Sequence, residues 1–129
     1  MTIPTYTPWG RPDHRETIAD GIVRFMTPSH GGIWLSPERL AAMPEALRAI
    51  PTWIDKPDWF EEDADWAIVC LAFPEYFSDR DCGYAIQTAQ AIASRDPEDP
   101  FNLNPWPLDM ADYLTTGPGA LCAEKASRA

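Results

Sequence analysis

Short apolar runs separated by turn-forming residues predict a β-meander early in the chain. Residues 22–26 and 33–35 are rich in β-branched and aromatic side chains, and turn-forming residues at positions 19–21 and 28–32 bound them. This alternation is typical of antiparallel strands joined by tight connections. We expect a small antiparallel meander over residues 14–35.

Helical features follow directly after the meander. Ser36 is typical of a helix N-cap, Pro37 fits the first helical position, and Glu38 favours the positive end of the helix dipole. We expect a helical region over residues 37–50, in which Pro44 begins a second short turn.

Two longer helices are predicted in the middle of the chain. Residues 61–73 begin with several acids and continue as the wholly apolar run 66–73, whose length would also allow a strand after a loop. Helix is favoured because Pro74 stops it and the acids suit a helix N-terminus. Residues 79–95 carry apolar side chains at helical spacing after Ser78, a second N-cap candidate.

The last third of the chain is predicted to be irregular. Proline is frequent, at 14 of 129 residues, about twice the usual 5%. Asp109 is expected to cap a short helix that residues 117–119 end, leaving the final residues mobile. We expect an α+β fold: residues 1–95 form a domain with an extended N-terminal arm, in which the meander packs against two or three helices. Residues 96–129 form an acidic, proline-rich strap and tail on the same domain.

Negative charge is concentrated in the second half of the sequence. Residues 1–57 hold six acids and six bases, whereas residues 58–129 hold 14 acids and four bases, which accounts for the whole net charge of −10. A field of this sign repels nucleic-acid phosphates and anionic lipid headgroups but attracts basic surfaces. Direct binding to nucleic acid or to a membrane is therefore not expected.

The cysteines and the N-terminus indicate a reducing, cytoplasmic location. Cys70, Cys82 and Cys122 are odd in number and lack close spacing, and no CxxC or Cys/His cluster accompanies them. Neither a disulfide framework nor a zinc site is predicted, and no cofactor is expected. The first ten residues lack the basic and apolar regions of a signal peptide, and the longest apolar run is too short to span a bilayer.

Five short strings stand in a distinctive order along residues 7–95. They are Thr7-Pro8-Trp9-Gly10, Gly21-Ile22, His30-Gly31-Gly32-Ile33-Trp34-Leu35-Ser36, Glu61-Glu62-Asp63-x-x-Trp66-Ala67-Ile68-Val69 and Phe73-Pro74. Together they resemble an uncharacterised small domain of phage, plasmid and conjugative-element accessory proteins. The resemblance implies a context in which accessory proteins often blunt host defences, and it carries no assigned activity or catalytic residues.

The string His30-Gly31-Gly32 has two interpretations. One is a turn that presents an imidazole to a ligand, with His30 as general base and Glu62 or its neighbours in 61–65 as partners in a small hydrolase or transferase. The simpler one is a hairpin in which glycine supplies a positive φ and His30 holds the turn. No nucleophile elbow or glycine-rich phosphate loop is present in the sequence, so an enzyme is the minority interpretation.

The acids at residues 61–65 also have two interpretations. Carboxylates can hold a divalent cation, but the spacing of these acids matches no calcium-binding loop. Acids in the first turn of a helix are instead stabilised by its dipole, typically by ~0.3–1 kcal/mol each. No metal site is predicted.

The favoured functional hypothesis makes the acidic half of the chain a binding surface. Carboxylates arrayed on a fold can imitate a phosphate track, so the chain would be a non-enzymatic inhibitor of a basic, nucleic-acid-handling host protein, such as an anti-CRISPR or another nucleic-acid mimic. The alternatives are an acidic face that only aids solubility and a module of a larger assembly anchored by exposed aromatic residues. The oligomeric state is left open. The predicted binding residues are Glu61, Glu62, Asp63, Asp65, Asp79, Asp81, Asp96, Glu98 and Asp99.

Overall fold

A four-stranded antiparallel sheet is the centre of the computed structural model, which describes residues 2–98 and 105–129. The strands lie side by side in chain order, so each pairs with the next. The predicted meander over residues 14–35 is confirmed, and a fourth strand extends it. The strands are β1 (His14–Ala19), β2 (Ile22–Met26), β3 (Gly31–Leu35) and β4 (Trp59–Glu61).

Short helices complete the fold, and the predicted α+β class is confirmed. Ser36, Ser78 and Asp109 each accept a hydrogen bond from the backbone N–H three residues on, at 3.0–3.2 Å, which satisfies a donor that a helix start leaves free. None of the helices in the described ranges is long and apolar enough to cross a membrane. The helices are α1 (Pro37–Ala42), α2 (Glu45–Arg48), α3 (Trp66–Ala72), α4 (Asp79–Ala93), α5 (Met110–Tyr113) and α6 (Gly117–Ala126), with a 3₁₀ turn at Pro74–Tyr76 between α3 and α4.

The sheet buries side chains on both of its faces. Ile33 belongs to the main core, together with α3 and α4. Phe25 and Trp34 belong to a second cluster, which the N-terminal arm helps to cover. Trp9 of the arm packs edge-on against Trp59, with ring centroids 5.7 Å apart and an interplanar angle of 88°. The arm is therefore part of the folded structure.

The helix predicted over residues 61–73 begins later than expected. Glu61 ends β4, residues 62–65 form a turn, and α3 begins at Trp66. The predicted start is wrong because the acids stand before the helix, where the Glu61 carboxylate accepts backbone N–H groups of the turn. The predicted end is confirmed, since α3 ends at Ala72, just before Pro74.

Residues 117–119 start a helix instead of ending one. Pro118 lies in the first turn of α6. N–H groups in a first turn have no acceptor within the helix, so proline costs no hydrogen bond there. Because α6 packs against α4 and buries Cys122 completely, the predicted mobile tail is wrong. Of the predicted strap, Trp106 is buried in the main core, and residues 99–104 lie outside the described residues.

Candidate functional site

A groove with a volume of about 300 Å³ lies between the sheet and the first turns of α3 and α4. Gly31 and Ile33 of β3 line its floor, and Trp66 and Tyr84 come from the two helices. Met26 and Tyr84 are large apolar side chains that remain 46% and 49% exposed. The groove therefore offers apolar surface to a partner without any rearrangement.

Within residues 2–98 and 105–129, the charged side chains that line the groove are two acids and one base that is in an ion pair. Arg24 donates to the Glu16 carboxylate at 2.9 Å, so its charge is already paired. Glu62 and Asp81 also line the groove, and neither takes part in an ion pair within the described part of the chain. Asp81 lies in the first turn of α4. The groove is consequently acidic as well as apolar.

The glycine pair after His30 positions side chains on both faces of the sheet. A Cβ atom on Gly31 would lie 2.8 Å from Oε2 of Glu62, so the absence of a side chain leaves room for that carboxylate. A Cβ on Gly32 would collide with the ring of Trp9 and lie 2.7 Å from the Phe60 carbonyl oxygen. Both glycines are needed for close approach inside β3, whereas the sequence alone places them in the turn.

Glu61 is a structural carboxylate. It is 9% exposed and accepts the backbone N–H groups of Asp63, Ala64 and Asp65 at 2.7, 2.6 and 2.8 Å. Three charge-assisted hydrogen bonds fix the turn that leads from β4 into α3. Both carboxylate oxygens are engaged by backbone N–H groups of the turn, so Glu61 does not contribute to an exposed binding surface.

Asp65 is the second buried acid of this turn. It is 4% exposed, and one carboxylate oxygen accepts the backbone N–H of Trp53 at 2.7 Å. Burial raises the pKa of Asp65 from 3.8 to about 6; the hydrogen bond from Trp53 opposes this shift and the nearby Glu61 carboxylate adds to it. The bond ties the loop before β4 to the start of α3, which is an internal role.

Among the remaining predicted binding acids that the structure describes, Asp79 lies at the start of α4, and Asp96 and Glu98 lie beyond its end. Asp79 at its start forms an ion pair with Arg128 at 3.3 Å, while Asp96 beyond its end accepts the backbone N–H of Glu98 at 2.9 Å. A helix of 15 residues is about 22 Å long, so these two groups of acids are well separated. Asp63 is exposed beside Glu62, and Asp99 lies outside the described residues.

The proposed catalytic pair of His30 and Glu62 is not joined in the structure. The two residues are close along the sheet, because the Glu62 N–H donates to the Gly31 carbonyl at 3.0 Å. His30 is exposed and its backbone bonds to Thr27, which closes the turn between β2 and β3. Among the residues described, no hydrogen bond or ion pair links its imidazole to a carboxylate.

The structure gathers three cysteines that the sequence gives no reason to group. Cys70, Cys82 and Cys122 come from α3, α4 and α6, and their sulfur atoms all lie within 4.8 Å of one another. Their spacings along the chain follow no metal-binding motif. Only the packing of α6 against α3 and α4, which the sequence did not predict, brings the third sulfur to the other two.

A second groove of about 430 Å³ lies between the α1–α2 segment and the loop before β4. Leu40, Met43 and Leu47 line one side and Phe60 lines the other. Its lining is mainly apolar, and of the residues that the structure describes, Arg48 and Asp55 are the only charged ones in it. Without a set of converging polar groups, it is a weaker candidate for a functional site than the acidic groove.

These features define a small α+β protein with an acidic, partly apolar groove beside its sheet. The chain belongs to the family described as Domain of unknown function (DUF7007), whose match covers residues 2–102. That match contains the sheet, α1 to α4 and the whole groove, whereas α5 and α6 lie beyond it. The expected membership of an uncharacterised small-domain family is thus confirmed. Neither a curated protein nor a solved structure matches the chain.

Proposed function

We propose that the chain is a non-enzymatic binding protein whose groove holds a basic segment of a nucleic-acid-handling host protein. The observation that carries this proposal is the meeting of Glu62 and Asp81 with the exposed side chains of Met26 and Tyr84 in one groove. A site of this kind fits an occupant that is cationic at its tip and apolar along its stem.

Arginine and lysine side chains have this character. Their aliphatic stems pack on apolar surface while the charged heads reach polar partners. An arginine stem would lie along Met26 and Tyr84, and its guanidinium would reach Glu62 or Asp81. Tyr84 already accepts such a contact from within the chain, since the guanidinium carbon of Arg80 lies 5.8 Å from its ring centroid. A volume of about 300 Å³ accommodates one or two such side chains.

The net charge of the chain supports recognition at longer range. A charge of −10 accelerates the approach of a basic partner and repels nucleic acid, which selects for protein surfaces. This steering needs no continuous array of acids, so it is compatible with the separation of the acids at the two ends of α4. The groove then provides the specific contact.

The biological setting is part of the same proposal. The resemblance to accessory proteins of phages, plasmids and conjugative elements favours a cytoplasmic inhibitor of a host defence, of which an anti-CRISPR protein is one example. Defence proteins that handle nucleic acid carry basic surfaces for the phosphate backbone. An acidic groove could compete for such a surface.

A capture experiment with two matched double variants tests the groove. The immobilised chain is exposed to a nuclease-treated host lysate, and each captured protein is purified for affinity measurement. We expect a basic partner whose affinity falls roughly tenfold or more for Glu62→Gln/Asp81→Asn, because each neutralised contact is desolvated on binding. The control, Asp63→Asn/Glu98→Gln, removes the same charge outside the groove and should change the affinity little.

Two results would count against the proposal. Equal weakening by both double variants would mean that total charge alone determines binding. A partner affinity that is insensitive to salt would remove the electrostatic mechanism, since exposed charges are screened over about 10 Å at 0.1 M salt.

A further inference from the structure

Three free cysteines from three helices meet in the interior of the helical layer. Cys70, Cys82 and Cys122 are each 0% exposed and none is in a disulfide. The sulfur atoms of Cys70 and Cys82 are 3.8 Å apart, and all three sulfurs lie within 4.8 Å of one another. The thiols thus converge on one point instead of being distributed through the core.

The spacing of the sulfurs fits a shared metal ion. Metal–sulfur bonds of about 2.3 Å place three sulfurs around a trigonal ion about 4 Å apart. The Cys70–Cys82 separation already has this value, and the wider separations close with sub-ångström adjustments of the side chains. Unlike a surface cluster, this one is held by the packing of α3, α4 and α6.

We propose that Cys70, Cys82 and Cys122 form a three-sulfur site for a soft monovalent cation of the Cu(I) class. Thiolates select soft ions, and Cu(I) accepts low coordination numbers, whereas structural Zn²⁺ takes four ligands. The part of the chain that the structure describes offers no fourth His, Cys, Asp or Glu ligand in the cluster, and both histidines are exposed. The ligand set therefore favours the monovalent ion.

Lys125 provides charge compensation beside the cluster. Its ammonium donates to the carbonyl oxygens of Pro74, at 2.9 Å, and Phe77, which fixes it in place. From there it interacts electrostatically with Cys82 and Cys122. Three thiolates around one monovalent ion leave two negative charges, of which the ammonium offsets one. This matters because a buried charge without a counter-charge is costly.

Binding exchanges protons for the metal without redox change. Each copper–sulfur bond replaces an S–H bond and releases a proton to solvent, and copper stays monovalent throughout. The site is closed by α6, which Lys125 and the Arg128–Asp79 ion pair hold against the rest of the helical layer. Entry of the ion consequently requires α6 to open.

The test is an anaerobic titration of the reduced full chain with Cu(I) supplied as its acetonitrile complex, against a chromogenic Cu(I) chelator. We expect one ion per chain, an X-ray absorption spectrum with three sulfur neighbours at about 2.3 Å, and a raised unfolding temperature. Cys70→Ala, Cys82→Ala and Cys122→Ala should each abolish three-sulfur coordination. Lys125→Met should weaken binding about tenfold or more, as loss of an outer-shell group does.

The control is His14→Ala/His30→Ala, which removes both exposed imidazoles and should leave the stoichiometry and the sulfur coordination unchanged. Circular dichroism of each metal-free cysteine variant shows whether it is folded. Should a cysteine variant be unfolded, the wild-type titration still tests the proposal. The proposal fails if the folded wild type cannot compete with the chelator for Cu(I). Coordination by fewer than three sulfurs, or a Zn²⁺ ion that Cu(I) does not displace, would also overturn it.

Discussion

Asp65 is a single residue whose ionisation opposes folding. Its carboxyl is buried beside Glu61, and its pKa rises from 3.8 to about 6. The folded state holds the proton of Asp65 more tightly than the unfolded state does. The stability that the protonated carboxyl contributes is therefore fully present below pH 3.8 and is lost as the pH rises through about 6.

Asp65→Asn is expected to stabilise the fold at neutral pH by on the order of 1–2 kcal/mol, a figure discounted for solvent screening. The amide oxygen of asparagine can still accept the hydrogen bond from the Trp53 N–H, and the amide group carries no charge that would be buried. Urea unfolding of both proteins across this pH range measures the effect. Near the lower pKa the two stabilities should converge, and a difference that stays constant with pH would contradict the explanation.

Glu61 and Glu62 are adjacent in sequence but have opposite roles. Glu61→Ala leaves three N–H groups of the turn, one buried and two partly buried, without their acceptor and should cost about 2–4 kcal/mol in unfolding free energy. Glu62→Ala, at an exposed position, should have little effect on stability. Chemical denaturation compares the pair, and similar losses in both would show that the hydrogen bonds of Glu61 are not what holds the turn.

Gly31 and Gly32 form a matched pair in β3. Gly32→Ala would place a methyl group against Trp9 and the Phe60 carbonyl, which cannot both move, so we expect a loss of about 1–3 kcal/mol. Gly31→Ala meets only the flexible end of Glu62 within 3 Å, so its cost should be smaller. Thermal unfolding ranks the two variants, and tryptophan fluorescence reports whether the N-terminal arm is displaced.

At the scale of elements, α6 depends on a glycine at its start. A Cβ atom on Gly119 would collide with the Tyr113 carbonyl of α5. Gly119→Ala is therefore expected to loosen α6 and expose the buried thiols to a thiol reagent. The control is Gly83→Ala inside α4, where the added methyl group meets only ordinary contacts. It should raise stability by about 0.5–1 kcal/mol and leave the thiols protected.

Local signals in the sequence predict elements whose ends are set by neighbouring residues. Ser36, Ser78 and Asp109 were identifiable as caps because a cap acts on N–H groups two or three positions away. The meander and α4 follow from apolar periodicity in the same way. These predictions succeed because the deciding interactions lie within one turn of the chain.

The predictions that failed concern residues whose structure depends on partners distant in sequence. Others concern residue types that suit two different local structures equally well. An acid before an apolar run suits a helix N-terminus, but Glu61 ends a strand because β3 is available to pair with it. Glycine and proline, the residue types at 117–119, are common both at the start and just after the end of helices. Here they start α6, which is stabilised by its packing against α4. The predicted binding acids include Glu62 and Asp81, which line the groove. Nothing in the sequence distinguishes these two from Asp96 and Glu98, which lie outside it.

At the scale of the whole molecule, negative charge and the groove should act on different steps of binding. Charges outside the groove mainly affect the association rate, whereas desolvated contacts inside it affect dissociation. For a captured partner, Asp63→Asn/Glu98→Gln should slow association modestly, and Glu62→Gln/Asp81→Asn should speed dissociation. Surface plasmon resonance at low and high salt separates the two effects, and identical kinetics for both variants would contradict this division.

The chain-order sheet also has a consequence for biosynthesis. Every strand pairs with its neighbour in sequence, whereas α6 reaches back across 51 residues from Lys125 to Pro74. Because a nascent chain emerges from its N-terminus and local contacts form first, the sheet can form while α6 is still inside the ribosome. Cys70 and Cys82 would then be open to solvent for that interval. An ion captured during translation would be enclosed when α6 docks.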